Sequence, residues 1–580
     1  MIKGISDVCV LVALLVNVAD AAGSIRPFDE LRVRKQAQDR PNVVLILTDD
    51  QGYGDVGFNG NPIVQTPILD AFAADAVVFD RFYANPVCSP TRAALMTGRY
   101  AYRTGVLETQ EGLSILPPSE LTIAEALKSA GYRSGLFGKW HLGDNAPARP
   151  VDQGFDRSLM HVAGMIGAPY SPLDAQSYFD PVLIDDGVER RFEGYCADIF
   201  TDAAIDFINA ADDEPFFVYL AQNTPHHPLT VADRYAQPYR DAGLSEDSAR
   251  YYGMITNLDD NFGRLIDALK AKGELENTVI LFLGDNGTSS LHKQQDLWSC
   301  GLRGRKTYVY ENGVRVPMFI QVPGAQGAGQ RLDTLASVED LMPTILELCG
   351  VEPASNLDGV SLLPLLAGDA LPERSYFVQF HRGQPLDRYR NAAAITERWK
   401  LVQAVGRGGE AFSLEAARFE LYDLENDPQE QHDLAAEHPE ILAQLKADYD
   451  AWFDDVTSEA LEPVRTWIGS DVQNPVLLTR QDWRGGGLFD GDLGHYELDV
   501  KTAGTYRITC QWSKLLKEAH PVVLKLNDRV LKNQILYAES ECRFESIELP
   551  MAPCRLEAWV EIDGKPMGFR FMTIEKLDIK

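Results

Sequence analysis

Two runs of six residues limit what this chain can become. Val43-Val44-Leu45-Ile46-Leu47-Thr48 and Thr278-Val279-Ile280-Leu281-Phe282-Leu283 are almost wholly apolar and show no polar alternation. Runs of that length and content suit parallel strands buried on both faces. A sheet covered on both sides needs helices to cover it, so the chain reads as α/β. Each run ends in a pair of oxygen-bearing side chains, the two carboxylates Asp49-Asp50 after the first and Asp285-Asn286, preceded by Gly284, after the second. Like charges crowded at a strand end repel, and a bound cation would offset that repulsion.

Between these runs lies Cys88-Ser89-Pro90-Thr91-Arg92, followed by Ala93-Ala94-Leu95-Met96-Thr97-Gly98-Arg99. Ser89 suits a helix N-cap and Pro90 the first helical position. That reading puts Cys88 on the turn just before a helix, where free N–H groups and the helix dipole favour an anion. A helix over Leu121–Ser129 and a strand over Tyr132–Phe137 lead to Gly138-Lys139-Trp140-His141-Leu142-Gly143. Lys139 and His141 are two apart, so they can face one cleft if the strand continues. A helix over 195–212 and a strand over Pro215–Ala221 precede Asn223-Thr224-Pro225-His226-His227. Tyr251–Ala271 has the apolar spacing of an amphipathic helix. Residues 301–317 carry Arg305, Lys306 and Thr307, then Glu311-Asn312-Gly313-Val314-Arg315-Val316-Pro317.

Taken in order, these motifs resemble those of the type I, formylglycine-dependent sulfatases of the alkaline phosphatase superfamily. The resemblance runs from about residue 40 to 457. It implies a mixed sheet sandwiched by helices over 40–370 and a smaller α+β subdomain over 371–457. It further implies that Cys88 is oxidised to formylglycine by a maturation enzyme. Asp49, Asp50, Asp285 and Asn286 would then hold a divalent cation, Ca²⁺ by their oxygen donors, with residue 88 completing the shell. Arg92 would steady the aldehyde hydrate. Lys139 and Lys306 would bind sulfate oxygens. Asp285 would act as base for the attacking hydroxyl, which forms a covalent sulfate ester, and His226 as acid for the leaving oxygen. His141 would take the second hydroxyl proton and so release sulfate. Arg305 and Thr307 stand where the family often has glycine, and Asn312 replaces another, a residue that tolerates left-handed backbone. The expected substrate is a sulfated small molecule or polysaccharide. A phosphatase or phosphonate-ester hydrolase of the same superfamily is the alternative.

At 580 residues the chain is too long for one core. Its 54 basic and 85 acidic residues give a net charge of −31, which argues against nucleic-acid partners. Such a chain must supply positive charge locally to hold an anionic substrate. Residues 1–22 read as a signal peptide: Lys3, an apolar run Val8–Val18, then Ala19-Asp20-Ala21. Eleven apolar residues are too few to span a bilayer, so a secreted enzyme, extracellular or periplasmic and without stable membrane insertion, is expected. The six cysteines other than Cys9 and Cys88 admit disulfides whose pairing the spacing does not assign. Residues 460–580 lie beyond the resemblance. Tyr496, Leu498 and Val500, then Tyr506, Ile508, Cys510 and Trp512, alternate as in half-buried strands joined by a turn at Ala503-Gly504. They predict an appended β-sandwich-like module. Its tryptophans 467, 483, 512 and 559 serve either its packing or the stacking of sugars.

Overall fold

A computed structural model describes residues 40–577 apart from 168–176, 213, 290–296, 325–328, 385, 460 and 486–490. The expected signal segment, 1–22, lies outside the described residues. Among the described residues no helix is long and apolar enough to cross a membrane.

The two apolar runs pair with each other. Asn42–Thr48 lies parallel to Thr278–Gly284 on one side and to Phe216–Ala221 on the other. Arg133–Lys139 continues the parallel set beyond Phe216–Ala221, followed by Arg157–His161. Antiparallel strands extend both flanks, Met318–Gln321 beside Thr278–Gly284 and Val182–Asp185 beside Arg157–His161, within a ten-stranded mixed sheet.

Period-two alternation divides the central strand between two cores. Val43, Leu45 and Leu47 face the helices Cys88–Thr97, Ile123–Lys128 and Leu341–Leu348, and Val44 and Ile46 face Cys196–Asn209 and Glu246–Lys272. Burial on both faces is why these strands carry no polar alternation. The Ile123–Lys128 helix starts at a capping box, with Thr122 and Glu125 each satisfying the other's backbone N–H.

A four-stranded antiparallel sheet follows: Tyr376–Gln379, Ala392–Ile395, Trp399–Gln403 and Glu420–Asp423. One face packs on the helix Pro439–Val456, through Tyr449, Trp452 and Phe453. The other packs on Val309, Tyr310 and Val314, in the segment that carries Lys306.

The last part of the chain folds as two further sheets. One is built around His495–Val500, Pro553–Ile562 and His520–Leu526, the other around Val476–Leu478, Phe571–Lys576, Gly504–Gln511 and Glu541–Leu549. Their inner faces share one core, which includes the predicted Tyr496, Leu498, Val500, Tyr506, Ile508 and Cys510. Trp483 is buried against Tyr496 and beneath Arg480. The seven described cysteines are free thiols, and Cys510 and Cys542 face each other in register without a bond.

This part of the chain docks on the α/β part through specific polar contacts. The Trp467 N–H donates to the Ala146 carbonyl (2.8 Å), and Gln473 bonds both Asn145 (2.8 Å) and the Ala146 N–H (2.8 Å). The Gly112 N–H donates to the Gln481 carbonyl (2.9 Å), and Arg484 to the Gly112 carbonyl (2.7 Å).

Candidate active site

Four neighbouring parallel strands end at one edge of the sheet, and each delivers predicted residues there. Thr278–Gly284 leads into Asp285 and Asn286, and Asn42–Thr48 into Asp49 and Asp50. Phe216–Ala221 leads toward His226, and Arg133–Lys139 ends on Lys139, two residues before His141. The crevice outside the carboxyl ends of such strands is where α/β sheets bind ligands. Backbone bonds lock the ends together, from Asp49 N–H to the Thr224 carbonyl (3.1 Å) and from Asp285 N–H to the Thr48 carbonyl (3.0 Å).

All the predicted acids and bases of the floor are buried and interlinked. Lys139 Nζ donates to both oxygens of Asp49 (2.8 and 2.7 Å). Arg92 donates to Asp285 Oδ2 (2.8 Å) and to the Lys139 carbonyl (2.7 Å). Lys306 pairs with Asp50 Oδ1, which also accepts from Asn286 Nδ2 (2.9 Å). The Asp50 N–H reaches Asp285 Oδ1 (3.0 Å). Burial opposes the charge on Asp50, but the ammonium groups of Lys306 and Lys139 outweigh it and hold that carboxyl far below the usual range. Burial and then Asp49 push Asp285 up to about 6, against the pull of Arg92. Burial works against the Lys306 ammonium too, and Asp50 more than restores it, so its pKa rises.

Cys88 opens the helix Cys88–Thr97 at its first residue, with extended Val87 as N-cap. This corrects the expectation that Ser89 caps the helix and that Cys88 precedes it. The Ser89 hydroxyl instead donates to the His141 carbonyl (3.0 Å), tying the helix to the Lys139–His141 strand end. Burial pushes the Cys88 thiol up, while Lys139 and Lys306 pull it down less strongly.

The two histidines are held by different nitrogens. His141 Nε2 lies 2.7 Å from the Thr109 carbonyl, so Nε2 carries the proton and the buried Nδ1, which has no partner, offers a lone pair. His226 is reversed. Its Nδ1 lies 2.7 Å from the His227 carbonyl, and its Nε2 lies 3.5 Å from Asp50 Oδ2. Burial keeps both neutral; Lys139 adds to this at His141, whereas Asp50 opposes it at His226. Left-handed backbone recurs here at non-glycine residues, Asp50 (φ 68°), His141 (φ 58°) and Thr307 (φ 75°). Strain of about 1–2 kcal/mol at each such residue is retained where the surroundings fix the side chain. Asn312, by contrast, lies in the short helix Glu311–Val314 and needs no left-handed conformation. The close approach there belongs to Gly287, whose added Cβ would lie 1.8 Å from the Asn312 carbonyl oxygen.

Above this floor opens a cleft of about 480 Å³ lined by Cys88, His141, His226, His227 and Lys306. Arg92 and Lys139 lie beneath it, fully buried. Arg382 and Arg407 also line the cleft, as do Thr109 and Gln110. Sequence reasoning missed all four. They stand in loops without a recognisable local pattern, and only the docking of the four-stranded sheet brings the two arginines to the cleft.

The oxygen donors fit a divalent cation. Asp50 Oδ2 and Asn286 Oδ1 are buried without a hydrogen-bond partner, an unfavourable state that a cation would relieve. Ligand atoms of Asp49, Cys88 and Asp285 gather within 4.8 Å of one another, as do those of Asp50, His226 and His227. The histidines of the second group bring nitrogen donors, which a hard ion uses less readily, so the carboxylates and Asn286 are the better set.

Comparison with known proteins agrees with this geometry. The sulfatase family model matches residues 41–351, and the model of the N-sulphoglucosamine sulphohydrolase C-terminal region matches 304–452. The N-acetylgalactosamine-6-sulfatase of Mus musculus is 35% identical over 375 residues, covering 60% of this chain and 69% of that protein. Arylsulfatase A of Homo sapiens is 34% identical over 464 residues, covering 70% of this chain and 86% of its own. Among solved structures, Ps i-CgsB in complex with k-i-k-neocarrahexaose superposes with a TM-score of 0.63 at 29% identity, covering 71% of this chain and 92% of that one.

Proposed function

We propose, for a chain that belongs to the sulfatase family and is a sulfate-ester hydrolase, that its substrate is a sulfated carbohydrate and its nucleophile is residue 88. The observation that carries the reading is Cys88 on the cleft floor, at the head of a buried helix, near Asp49 and Asp285 and in a cleft shared with two oppositely tethered histidines. Relatives named for N-acetylgalactosamine 6-sulfate and a similar fold solved with a neocarrahexaose support a sugar substrate.

Formylglycine made from Cys88 by a maturation enzyme would supply a hydrated aldehyde as nucleophile, and Ca²⁺ would supply charge neutralisation at the sulfate. Asp49, Asp50, Asp285 and Asn286 are the residues to hold that ion, with residue 88. Asp285, steadied by Arg92, takes the proton of the attacking hydroxyl. Lys139 and Lys306 serve the sulfate oxygens; each now donates to a carboxylate that the cation would share. His226 serves the leaving oxygen through Nε2, since Nδ1 is committed to a carbonyl; Nε2 is bare in the neutral ring, so it takes up a proton from solvent as the anionic ester binds and then gives it to the leaving oxygen. His141, with Nδ1 open, takes the second hydroxyl proton. The further proposals are a secreted enzyme, extracellular or periplasmic, with the units 40–370, 371–457 and 460–580.

Turnover of an aryl sulfate, compared with the matched phosphate ester, tests the reaction. Cys88→Ala should stay folded with almost no turnover, and mass spectrometry of the active protein should find the aldehyde at position 88. Full activity with an intact thiol there would refute the nucleophile. A panel of defined sulfated oligosaccharides tests the substrate class.

A further inference from the structure

The floor of the cleft carries as much negative charge as positive. Asp49, Asp50 and Asp285 stand against Lys139, Lys306 and Arg92, each cation paired with a carboxylate. The rim differs. Arg305, Arg382 and Arg407 line the cleft, and among the described residues that line it there is no carboxylate. In a chain of net charge −31, three guanidinium groups gathered at one cleft are a local concentration of positive charge.

These arginines come from separate parts of the chain. Arg305 belongs to the segment that carries Lys306, whereas Arg382 and Arg407 follow strands of the four-stranded sheet, Tyr376–Gln379 and Trp399–Gln403. Arg382 is tied to the buried Glu108, which offsets its charge. Arg407 lies over the Tyr308 ring, its guanidinium carbon 4.1 Å from the ring centre, and donates to Thr307 Oγ1 (2.8 Å). Arg305 approaches the same ring at 5.7 Å. Glu410 feels Arg407, after Arg390, from an exposed position outside the cleft lining. Among the described residues, Arg407 is packed over an aromatic ring and donates to Thr307 from Nη1, an arrangement that can receive a sulfate or carboxylate on the guanidinium donors that remain.

We propose that Arg305 and Arg407, held around Tyr308, form a second anion subsite, so that the preferred substrate carries another sulfate or carboxylate group close to the sulfate ester that is cleaved. This inference rests on the sulfated-carbohydrate reading for its natural ligand, a polyanionic glycan. Its physical content is narrower: the cleft binds two anionic groups at once.

The test uses the metal-loaded, matured full-length enzyme and the variant Arg407→Gln, with Arg305→Gln as a second variant in case the first perturbs the loop. Two sulfated disaccharides with the same scissile ester, one bearing a second sulfate, are compared with a monoanionic aryl sulfate. The subsite predicts that the wild type favours the disulfated sugar by about tenfold in kcat/KM. Arg407→Gln should remove most of that preference through KM, and leave aryl sulfate turnover within about twofold. Raising the salt concentration should reduce turnover of the disulfated sugar more steeply. Calorimetry with benzene-1,3-disulfonate and benzenesulfonate reads the subsite without any turnover. The disulfonate should bind the wild type more tightly, and the variants should lose that advantage. If sugars are not turned over but this binding difference holds, the carbohydrate reading fails and the subsite stands. Equal binding of the two sulfonates, or equal losses on mono- and dianionic substrates in both variants, overturns the subsite.

Discussion

Replacing Gln481 by Met tests whether the C-terminal sheets reach the chemistry. Gln481 is buried, and its side chain donates to the Thr109 carbonyl (3.2 Å) and to Ser114 Oγ. The same Thr109 carbonyl holds His141 Nε2 and so fixes which nitrogen of His141 is bare. Methionine keeps the volume and removes both donors. Two buried hydrogen bonds are lost, each worth about 0.5–1.5 kcal/mol, so stability should fall by about 1–3 kcal/mol. The catalytic effect is separate: loosening the 108–114 loop lets His141 drift, and displacements of about 1 Å cost up to ~10²-fold in rate. We expect kcat on an aryl sulfate to fall about tenfold, with KM within about twofold. Gln473→Met is the control, since it breaks the same interface at Asn145 and Ala146, away from that loop. It should cost similar stability and leave kcat near wild type. Steady-state kinetics beside denaturant unfolding would separate the two. If both variants lose activity in proportion to stability, Gln481 acts only as interface and the positioning argument is wrong.

Three further outcomes are expected. Chelation should abolish activity, but lower the melting temperature only moderately, because Lys139, Lys306 and Arg92 already pair with Asp49, Asp50 and Asp285; verified demetallation without loss of activity would remove the metal from the reaction. His226→Ala should slow esters of poorly acidic alcohols far more than those of acidic phenols, by roughly two to four decades at the extreme; an equal loss across leaving groups would assign His226 to positioning. Burial raises the carboxyl of Glu339 to about 8, against the weaker pull of its own N–H and of Ser337. The folded chain therefore holds a proton that the unfolded chain releases near 4.5, so stability should fall as pH rises between those values. Glu339→Gln should flatten that part of the stability–pH curve, and an unchanged slope in denaturant unfolding would refute the assignment.

The floor of the site was legible because its signals are local. Apolar runs that stop at Asp49-Asp50 and at Asp285-Asn286 encode both the strand and the place where it ends, and adjacent parallel strands must end at one edge. The helix after Cys88 was legible for the same reason. Its exact start was not, because the Ser89 hydroxyl had a choice. A local rule assigns it to the helix N–H groups, yet the structure gives it to the His141 carbonyl, a partner 52 positions away in sequence. The appended sheets were equally readable strand by strand, since Tyr496, Leu498 and Val500 alternate against a core. Of their tryptophans, Trp483 proves to be packing, as its place beneath Arg480 and against Tyr496 shows.

The rest of the cleft escaped because it is made where separate sheets meet. Arg382 and Arg407 sit in polar loops that resemble any others; only the packing of Tyr376, Val378 and Ala393 against Val309 and Val314 carries those loops over the floor. Gln481 is likewise an ordinary residue in a turn until the turn is pressed against Thr109. The division has a physical cause. Residues that a strand end must hold against electrostatic repulsion leave a pattern, because neighbours in sequence share the cost. Residues that supply a rim need only be long, charged and carried to the right place. On this argument the acidic pairs and Lys139 report the reaction, whereas Arg305, Arg407 and Tyr308 report the substrate. Exchanging the rim arginines should therefore change which sulfate ester is preferred long before it changes whether one is cleaved.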